Sequence, residues 1–179
     1  SYELLAAVAP INKAALDDGL ERLTDSGLAF RRGTPPDASY TCKHALVQDA
    51  AYDSMLKSRR QELHAKIAHV IEERFPNIKT TEPEVLAHHL TAAALAEAAI
   101  PLWQSAGELA LKRVALTEAI SHLNQGLELV ATLPRSFERD ASELGLRTRL
   151  GTAWMALKGW PAPEVWASLH PALALAKAL

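Results

Sequence analysis

The chain has 179 residues, of which 49% are hydrophobic and 22% charged, and its formal net charge is −2. This composition is ordinary for a globular protein and excludes disordered and fibrous classes. The near-neutral charge gives no global basic surface for nucleic acid or an anionic membrane. Charged residues interrupt every apolar run, so the sequence predicts neither a membrane-spanning segment nor a signal peptide.

The first predicted elements are two short helices and a hairpin. An apolar pattern over residues 2–8 and leucines at helical spacing up to Gly27 predict the helices. Residues 28–32 and 39–43 flank a turn-rich loop and predict two short strands. Helix, helix and hairpin form the later part of a winged-helix domain, whose first helix would precede Ser1. Both chain ends fall inside helical patterns, so we expect a piece of a longer protein.

Residues 44–75 predict a longer helical region with a bend near Ser58. Its apolar stripe consists of Leu46, Ala50, Tyr52, Leu56, Leu63, Ile67, Ala68 and Ile71. The polar segment 76–83 is expected to be a linker. We therefore expect a partial winged-helix domain with trailing helices over residues 1–76.

Residues 83–179 are alanine-rich and carry small residues at fixed intervals, which is typical of helical repeats. The spacing of a tetratricopeptide repeat is matched by Trp103, Gly107, Ala119 and Gly126, with Leu123 in the large apolar position. A second match begins 20 residues earlier and uses Ala87, Leu90, Ala99, Trp103 and Ala106. A third, partial match uses Leu150, Gly151 and Trp154. The predicted fold class is therefore mainly α: a partial winged helix with a short β-hairpin, followed by an antiparallel TPR-like array of about five helices.

Small residues in such an array let neighbouring backbones approach while a bulky side chain fills the adjoining hole. If Trp103 is such a core residue, its replacement by alanine costs about 3–5 kcal/mol of stability. We expect Trp103, Gly107, Ala119 and Gly126 to be buried at helix contacts.

Groups that could carry chemistry are few. His64, His69, His88 and His89 invite a metal-site interpretation, but they lack a His-Glu-x-x-His pair and suit packed or capping histidines better. Cys42 is the single cysteine, so no internal disulfide can form and the cytoplasm is the expected compartment. Its strand position favours a buried structural thiol over a nucleophile. No glycine-rich phosphate loop is present, and we expect no catalytic residue, metal or cofactor.

The helix before the hairpin would enter the DNA major groove in a winged-helix protein, yet its charged residues sum to −2. Direct DNA binding is therefore not expected. Basic residues cluster elsewhere, at Arg31, Arg32, Lys43, Lys57, Arg59 and Arg60. They are either a solvated face or a contact with a neighbouring domain's acidic surface or nucleotide phosphates.

Several segments resemble bacterial adenylate cyclase-like and transcriptional-regulator signalling ATPases of the STAND type. These segments are Lys43–Ser54, Arg59–His64, Leu86–His89, Ala99–Trp103 with Ala106–Glu108, Glu118–Leu123 and Lys158–Val165. In such proteins a class III cyclase or a DNA-binding domain is joined to an AAA ATPase, a winged helix and TPR-like repeats. None of the cyclase or ATPase motifs is matched, so the resemblance carries over no catalytic residue.

The resemblance implies a non-catalytic regulatory module that transmits a signal to upstream ATPase and cyclase domains. The partners would be those domains and a protein or small-molecule effector. Candidate interaction residues are Lys57, Arg59 and Arg60 for interdomain contact, with His88, His89 and Trp103 near the repeat groove if exposed. Two alternatives remain open: the effector-sensing arm of a DNA-binding transcriptional regulator, and an independent scaffold.

Overall fold

The computed structural model describes residues 1–179 and is mainly α-helical, with one two-stranded antiparallel sheet. It divides into two compact units, Ser1–Arg74 (unit 1) and Phe75–Leu179 (unit 2). Unit 1 contains α1 (Tyr2–Val8), α2 (Lys13–Asp25), β1 (Ala29–Arg32), β2 (Ser39–Cys42), α3 (Ala45–Asp53) and α4 (Lys57–Arg74). Unit 2 contains α5 (Ile78–Thr81), α6 (Pro83–Ala92), α7 (Ala96–Lys112), α8 (Leu116–Val130), α9 (Phe137–Lys158) and α10 (Pro163–Ala178). None of the helices combines the length and the apolar character that crossing a bilayer requires.

The second helix of unit 1 has clear start and stop signals. The Asn12 side chain accepts a hydrogen bond of 2.9 Å from the Ala15 amide, which satisfies a free donor at the start of α2. At the other end Gly27 takes φ +72°, and the Leu28 amide donates to the Leu23 carbonyl at 3.0 Å. This is a Schellman turn, in which glycine reverses the chain without a Cβ penalty. The turn delivers the chain directly into β1.

The hairpin closes over a small core. Strands β1 and β2 pair antiparallel, with Ala29 opposite Cys42 and Arg32 opposite Ser39. The Tyr2 amide donates to the Ala38 carbonyl at 2.8 Å, which ties the start of α1 to the hairpin. The core of these elements consists of Tyr2, Leu16, Leu20 and Ala38.

Cys42 is exposed, so the expectation of a buried thiol is wrong. Cys42 is the last residue of β2, and the sheet has two strands only, so no neighbouring strand on the other side of β2 buries it. Its sulfur lies 3.6 Å from the carbonyl oxygens of Leu28 and His44.

The predicted helical region 44–75 is two helices. The chain leaves helical geometry between Asp53 and Lys57, a few residues before the predicted bend at Ser58. Helix α4 buries His64, Ala68, Val70 and Ile71, whereas α3 has no buried residue. The first half of the predicted apolar stripe therefore faces solvent instead of a core. In the predicted linker, residues 78–81 form the short helix α5.

In unit 2 each helix from α6 to α10 packs against the next. The α6–α7 and α7–α8 connections are tight Schellman turns, like the one after α2, but with Ala94 and Val114 at φ +61° and +60°. The Leu95 and Ala115 amides donate to carbonyls five residues back, both at 2.9 Å. Such short turns make consecutive helices antiparallel.

A glycine lies against a leucine at three successive helix junctions. The pairs are Gly107 with Leu123, Gly126 with Leu146, and Gly151 with Leu169. A Cβ at the first glycine would fall 2.6 Å from its leucine, and at the second 2.8 Å. Close packing of this kind lets α7, α8, α9 and α10 share one buried seam.

The expectation that Trp103, Gly107, Ala119 and Gly126 are buried at helix contacts is confirmed. Helix α9 also reaches across to α7, two helices back. Arg149 and Glu108 form an ion pair of 2.5 Å, and a Cβ at Gly145 would lie 3.0 Å from the Gln104 side-chain oxygen. Helix α9 therefore contacts α7 as well as its sequence neighbours α8 and α10.

Candidate functional site

The predicted basic residues lie at the start of α4, where Lys57 and Arg59 are exposed. Arg59 pairs with Glu62 at 3.1 Å on the same helix. Arg60 pairs with Asp53 at 3.0 Å, and its guanidinium lies 4.8 Å from the centre of the Tyr52 ring. The Arg59 pair is exposed and holds its side chain loosely, so Arg59 stays available to a partner, whereas Arg60 is half-buried against Tyr52.

Next to these cations lie exposed apolar side chains of α3 and of the turn after it. Leu46 is 83% exposed and Leu56, in the turn after α3, is 78% exposed. Val47 and Tyr52 are each 39% exposed. A nine-residue helix with no buried residue contributes almost nothing to its own unit's core. We call Leu46, Val47, Tyr52 and Leu56 the α3 surface.

The Tyr52 hydroxyl also contacts His64 of α4, at 3.1 Å from Nε2. The two rings meet edge to face with centroids 5.9 Å apart, and His64 is buried. This contact orients one end of the α3 surface against α4. His64 is therefore a packed histidine, which is one of the two roles that the sequence suggested for it.

His88 and His89 are neighbours on α6, with His88 exposed and His89 half-buried. Their rings meet edge to face with centroids 5.5 Å apart. No group of three or more histidine, cysteine or carboxylate side chains is arranged to hold a metal ion. The pair lies on the surface of the first long helix of unit 2.

Trp103 is not a surface residue, so the condition under which it would be a candidate contact is not met. It is 6% exposed, and its indole N–H donates a hydrogen bond of 3.0 Å to the Thr91 hydroxyl of α6. Its ring stacks on His122 of α8, with centroids 5.5 Å apart. Trp103 therefore joins α6, α7 and α8, and its role is packing.

Unit 2 has an apolar groove between α9 and α10, with a volume of about 520 Å³. Its walls include Leu144 and Thr148 from α9 and Leu169, Ala172 and Leu173 from α10. Trp160 and Trp166 stand at its rim and are 71% and 69% exposed. We call this site the α9–α10 groove.

The end of the groove is fixed by the turn between its two helices. Lys158 pairs with Glu164 across that turn, and its ammonium lies 4.8 Å from the centre of the Trp154 ring. The hydrogen bond from Lys158 lowers the pKa of the Glu164 carboxyl. The groove therefore opens between two helices whose connection is held by a charged pair.

Sequence reasoning did not single out the groove residues. Trp160 lies within a segment that carries the family resemblance, but Trp166 and Leu173 were given no role. The available signal was the distribution of apolar residues on α10. Val165, Trp166, Leu169 and Leu173 follow one another at helical spacing and lie on one broad face of the helix, and an apolar face of that kind is normally covered by a neighbouring element.

No protein-family model matches the chain, and no solved structure matches it. An uncharacterized protein of Rhizobium meliloti (strain 1021) is 30% identical over 149 residues, which are 83% of this chain. The chain spans only 14% of the length of that curated relative. The matching region is thus a small part of a much longer protein.

Proposed function

We propose that this chain is a non-catalytic regulatory module of a longer signalling protein of the adenylate cyclase-like STAND group. Unit 1 would be the later part of a winged-helix domain and unit 2 a TPR-like helical array. The observation that carries the proposal is the α3 surface, a set of exposed apolar side chains on and just after a helix with no buried residue, close in the chain to Lys57 and Arg59. A surface of that kind favours contact with another protein domain.

The order of elements in unit 1 supports the winged-helix assignment. Two helices precede a two-stranded antiparallel hairpin, and the first helix is tied to the hairpin through Tyr2. The repeated glycine–leucine junctions and the contact of α9 with α7 support a TPR-like array, in which each helix packs on its neighbour and on the next but one.

The charge on α2 favours a protein partner over DNA. Asp17, Asp18, Glu21 and Asp25 are all exposed on the helix that would enter the major groove. Repulsion by phosphates opposes such a contact, since DNA readers depend on positive charge. The basic residues next to the α3 surface suit an acidic domain surface or nucleotide phosphates instead.

The mechanism we propose is a population shift between a closed arrangement, with the α3 surface docked on the ATPase domain, and an open one. An effector bound to the helical array drives the shift only if it binds one arrangement more tightly. The effector thereby changes the rate at which the upstream cyclase converts ATP to cAMP, although this chain supplies no catalytic residue.

The test uses the full-length protein that contains this chain. Leu46→Asp and Leu56→Asp together should weaken docking and change ATPase and cyclase rates by about fivefold or more, the range typical of allosteric coupling. The matched control is Leu157→Asp, an exposed leucine of α9 outside the groove. Rates unchanged in the α3 variant would contradict the proposal. Tight, steeply salt-dependent binding of duplex DNA to the 179-residue chain would favour the transcriptional-regulator alternative.

A further inference from the structure

The α9–α10 groove repeats a surface that is covered elsewhere in unit 2. Gly107 of α7 and Gly151 of α9 occupy equivalent positions, because each lies against a leucine of the following helix, Leu123 or Leu169. The glycines are 44 positions apart and the leucines 46 apart. These two offsets align α7 with α9 and α8 with α10.

The groove residues of α9 have counterparts on α7, and α9 covers those counterparts. Leu144 corresponds to Ile100, which belongs to the same buried cluster as Leu146 of α9. Thr148 corresponds to Gln104, whose side chain lies against Gly145 of α9. One wall of the groove is therefore equivalent to a surface that α9 covers.

The wall of the groove that α10 forms also has counterparts that α9 covers. Ala172 corresponds to Gly126, the residue of α8 against which Leu146 of α9 packs. Trp166 corresponds to Ile120, which is 9% exposed, whereas Trp166 is 69% exposed. Trp166 is therefore open to solvent where its α8 counterpart is covered, and Ala172, although only 5% exposed, lines the groove.

We propose that the α9–α10 groove is a docking site for one amphipathic α-helix of the same chemistry as α9, contributed by another segment of the longer protein. That the helix comes from the same longer protein rests on the proposed function. That it resembles α9 rests only on the correspondence of α7 with α9 and of α8 with α10. The groove is continuous with the α7–α8–α9 interface, since α9 forms one side of each.

The correspondence also specifies the helix. Its central contact is a leucine against Ala172, as Leu146 lies against Gly126, flanked by apolar residues one turn away. It does not need an arginine equivalent to Arg149, because the position equivalent to Glu108 is Thr152 and offers no carboxylate. Recognition is therefore apolar at the centre.

The experiment titrates the 179-residue chain into a fluorescein-labelled synthetic peptide with the sequence 137–158, which is α9 itself, and measures anisotropy. We expect saturable binding, and a loss of affinity of about tenfold or more when the peptide carries Leu146→Asp. The chain variant Leu173→Asp should cause a similar loss. Because Leu173 is 57% exposed, this variant keeps its fold, which circular dichroism checks. The matched control Leu157→Asp should bind the peptide like the unaltered chain.

Three results would overturn the proposal. Absence of peptide binding would remove the helix as occupant, and anilinonaphthalene sulfonate bound in a Leu173-dependent manner would then assign the groove to a small apolar ligand. Binding unaffected by Leu173→Asp would place the peptide elsewhere. A concentration-dependent dimer in light scattering that Leu173→Asp abolishes would assign the groove to a second copy. These experiments do not involve the α3 surface, so the proposed function is tested independently of the groove.

Discussion

Gly107 and Leu123 lie so close that a Cβ on the glycine would fall 2.6 Å from both Cγ and Cδ2 of the leucine. Leu123 is completely buried and cannot move aside cheaply. Gly107→Ala should therefore destabilise the protein by about 1–2 kcal/mol, even though alanine is the better helix former. Scanning calorimetry of the 179-residue chain measures this change.

The control for that prediction is Gly19, a helix-interior glycine with no heavy atom within 4 Å of its hypothetical Cβ. Gly19→Ala should stabilise unit 1 by up to about 1 kcal/mol through helix propensity alone. Equal and stabilising effects at positions 19 and 107 would contradict the close approach of α7 and α8.

The hydrogen bond from the Trp103 indole to Thr91 should be measurable by a double-mutant cycle. Thr91→Val leaves a buried N–H without its acceptor and should cost about 1–3 kcal/mol in the unaltered chain. The same change should cost much less when Trp103→Phe has already removed the donor. Denaturant unfolding of the four proteins gives the coupling energy, and a coupling near zero would contradict the bond.

Complete truncation of the same side chain tests packing. Trp103→Ala should destabilise by about 3–5 kcal/mol, because it empties a site shared by three helices. An unchanged melting temperature would remove Trp103 from the core.

Val114 adopts φ +60°, a conformation that β-branched residues avoid, and its side chain is 75% exposed. Val114→Gly should stabilise the protein by about 1 kcal/mol, because it relieves the backbone cost and loses little packing. Gly27→Ala, which places a Cβ at φ +72° in the equivalent turn after α2, should act in the opposite direction. Melting temperatures that move the same way in both variants would refute this account.

The hydrogen bond of 2.6 Å from the Tyr2 hydroxyl to Asp17 raises the pKa of Tyr2 to about 12. The unfolded phenol has a pKa near 10, so the unfolded state loses its proton first as the pH rises. The stability from this bond is therefore fully present below pH 10 and is lost as the pH approaches 12. A tyrosinate absorbance titration of the chain should show one late phenol, which Tyr2→Phe removes. Identical late titration in both proteins would contradict the assignment.

The fold was predictable where a residue's local pattern and its packing agree. Apolar patterns and turn residues placed α1, the end of α2 and both strands to within a residue or two, because turns depend on local hydrogen bonds. The spacing of Gly107, Ala119 and Gly126 predicted helix contacts, since small residues at those intervals allow close helix packing.

Prediction of the site was less successful, because exposure is not a local property. Leu46 and Leu56 fit an apolar stripe as well as Ile71 does, yet only Ile71 has neighbours that cover it. Trp103 could be a surface anchor or a core residue by sequence, and its position among α6, α7 and α8 made it core.

By itself the sequence determined the helical class, the hairpin and the small-residue contacts of unit 2, because periodicity and turn chemistry act over a few residues. Only the tertiary structure decided which apolar faces are left open: the α3 surface, and the groove that repeats the place where α9 lies. Whether an apolar face is buried depends on which other helix packs against it, and such contacts join segments that are distant in the chain.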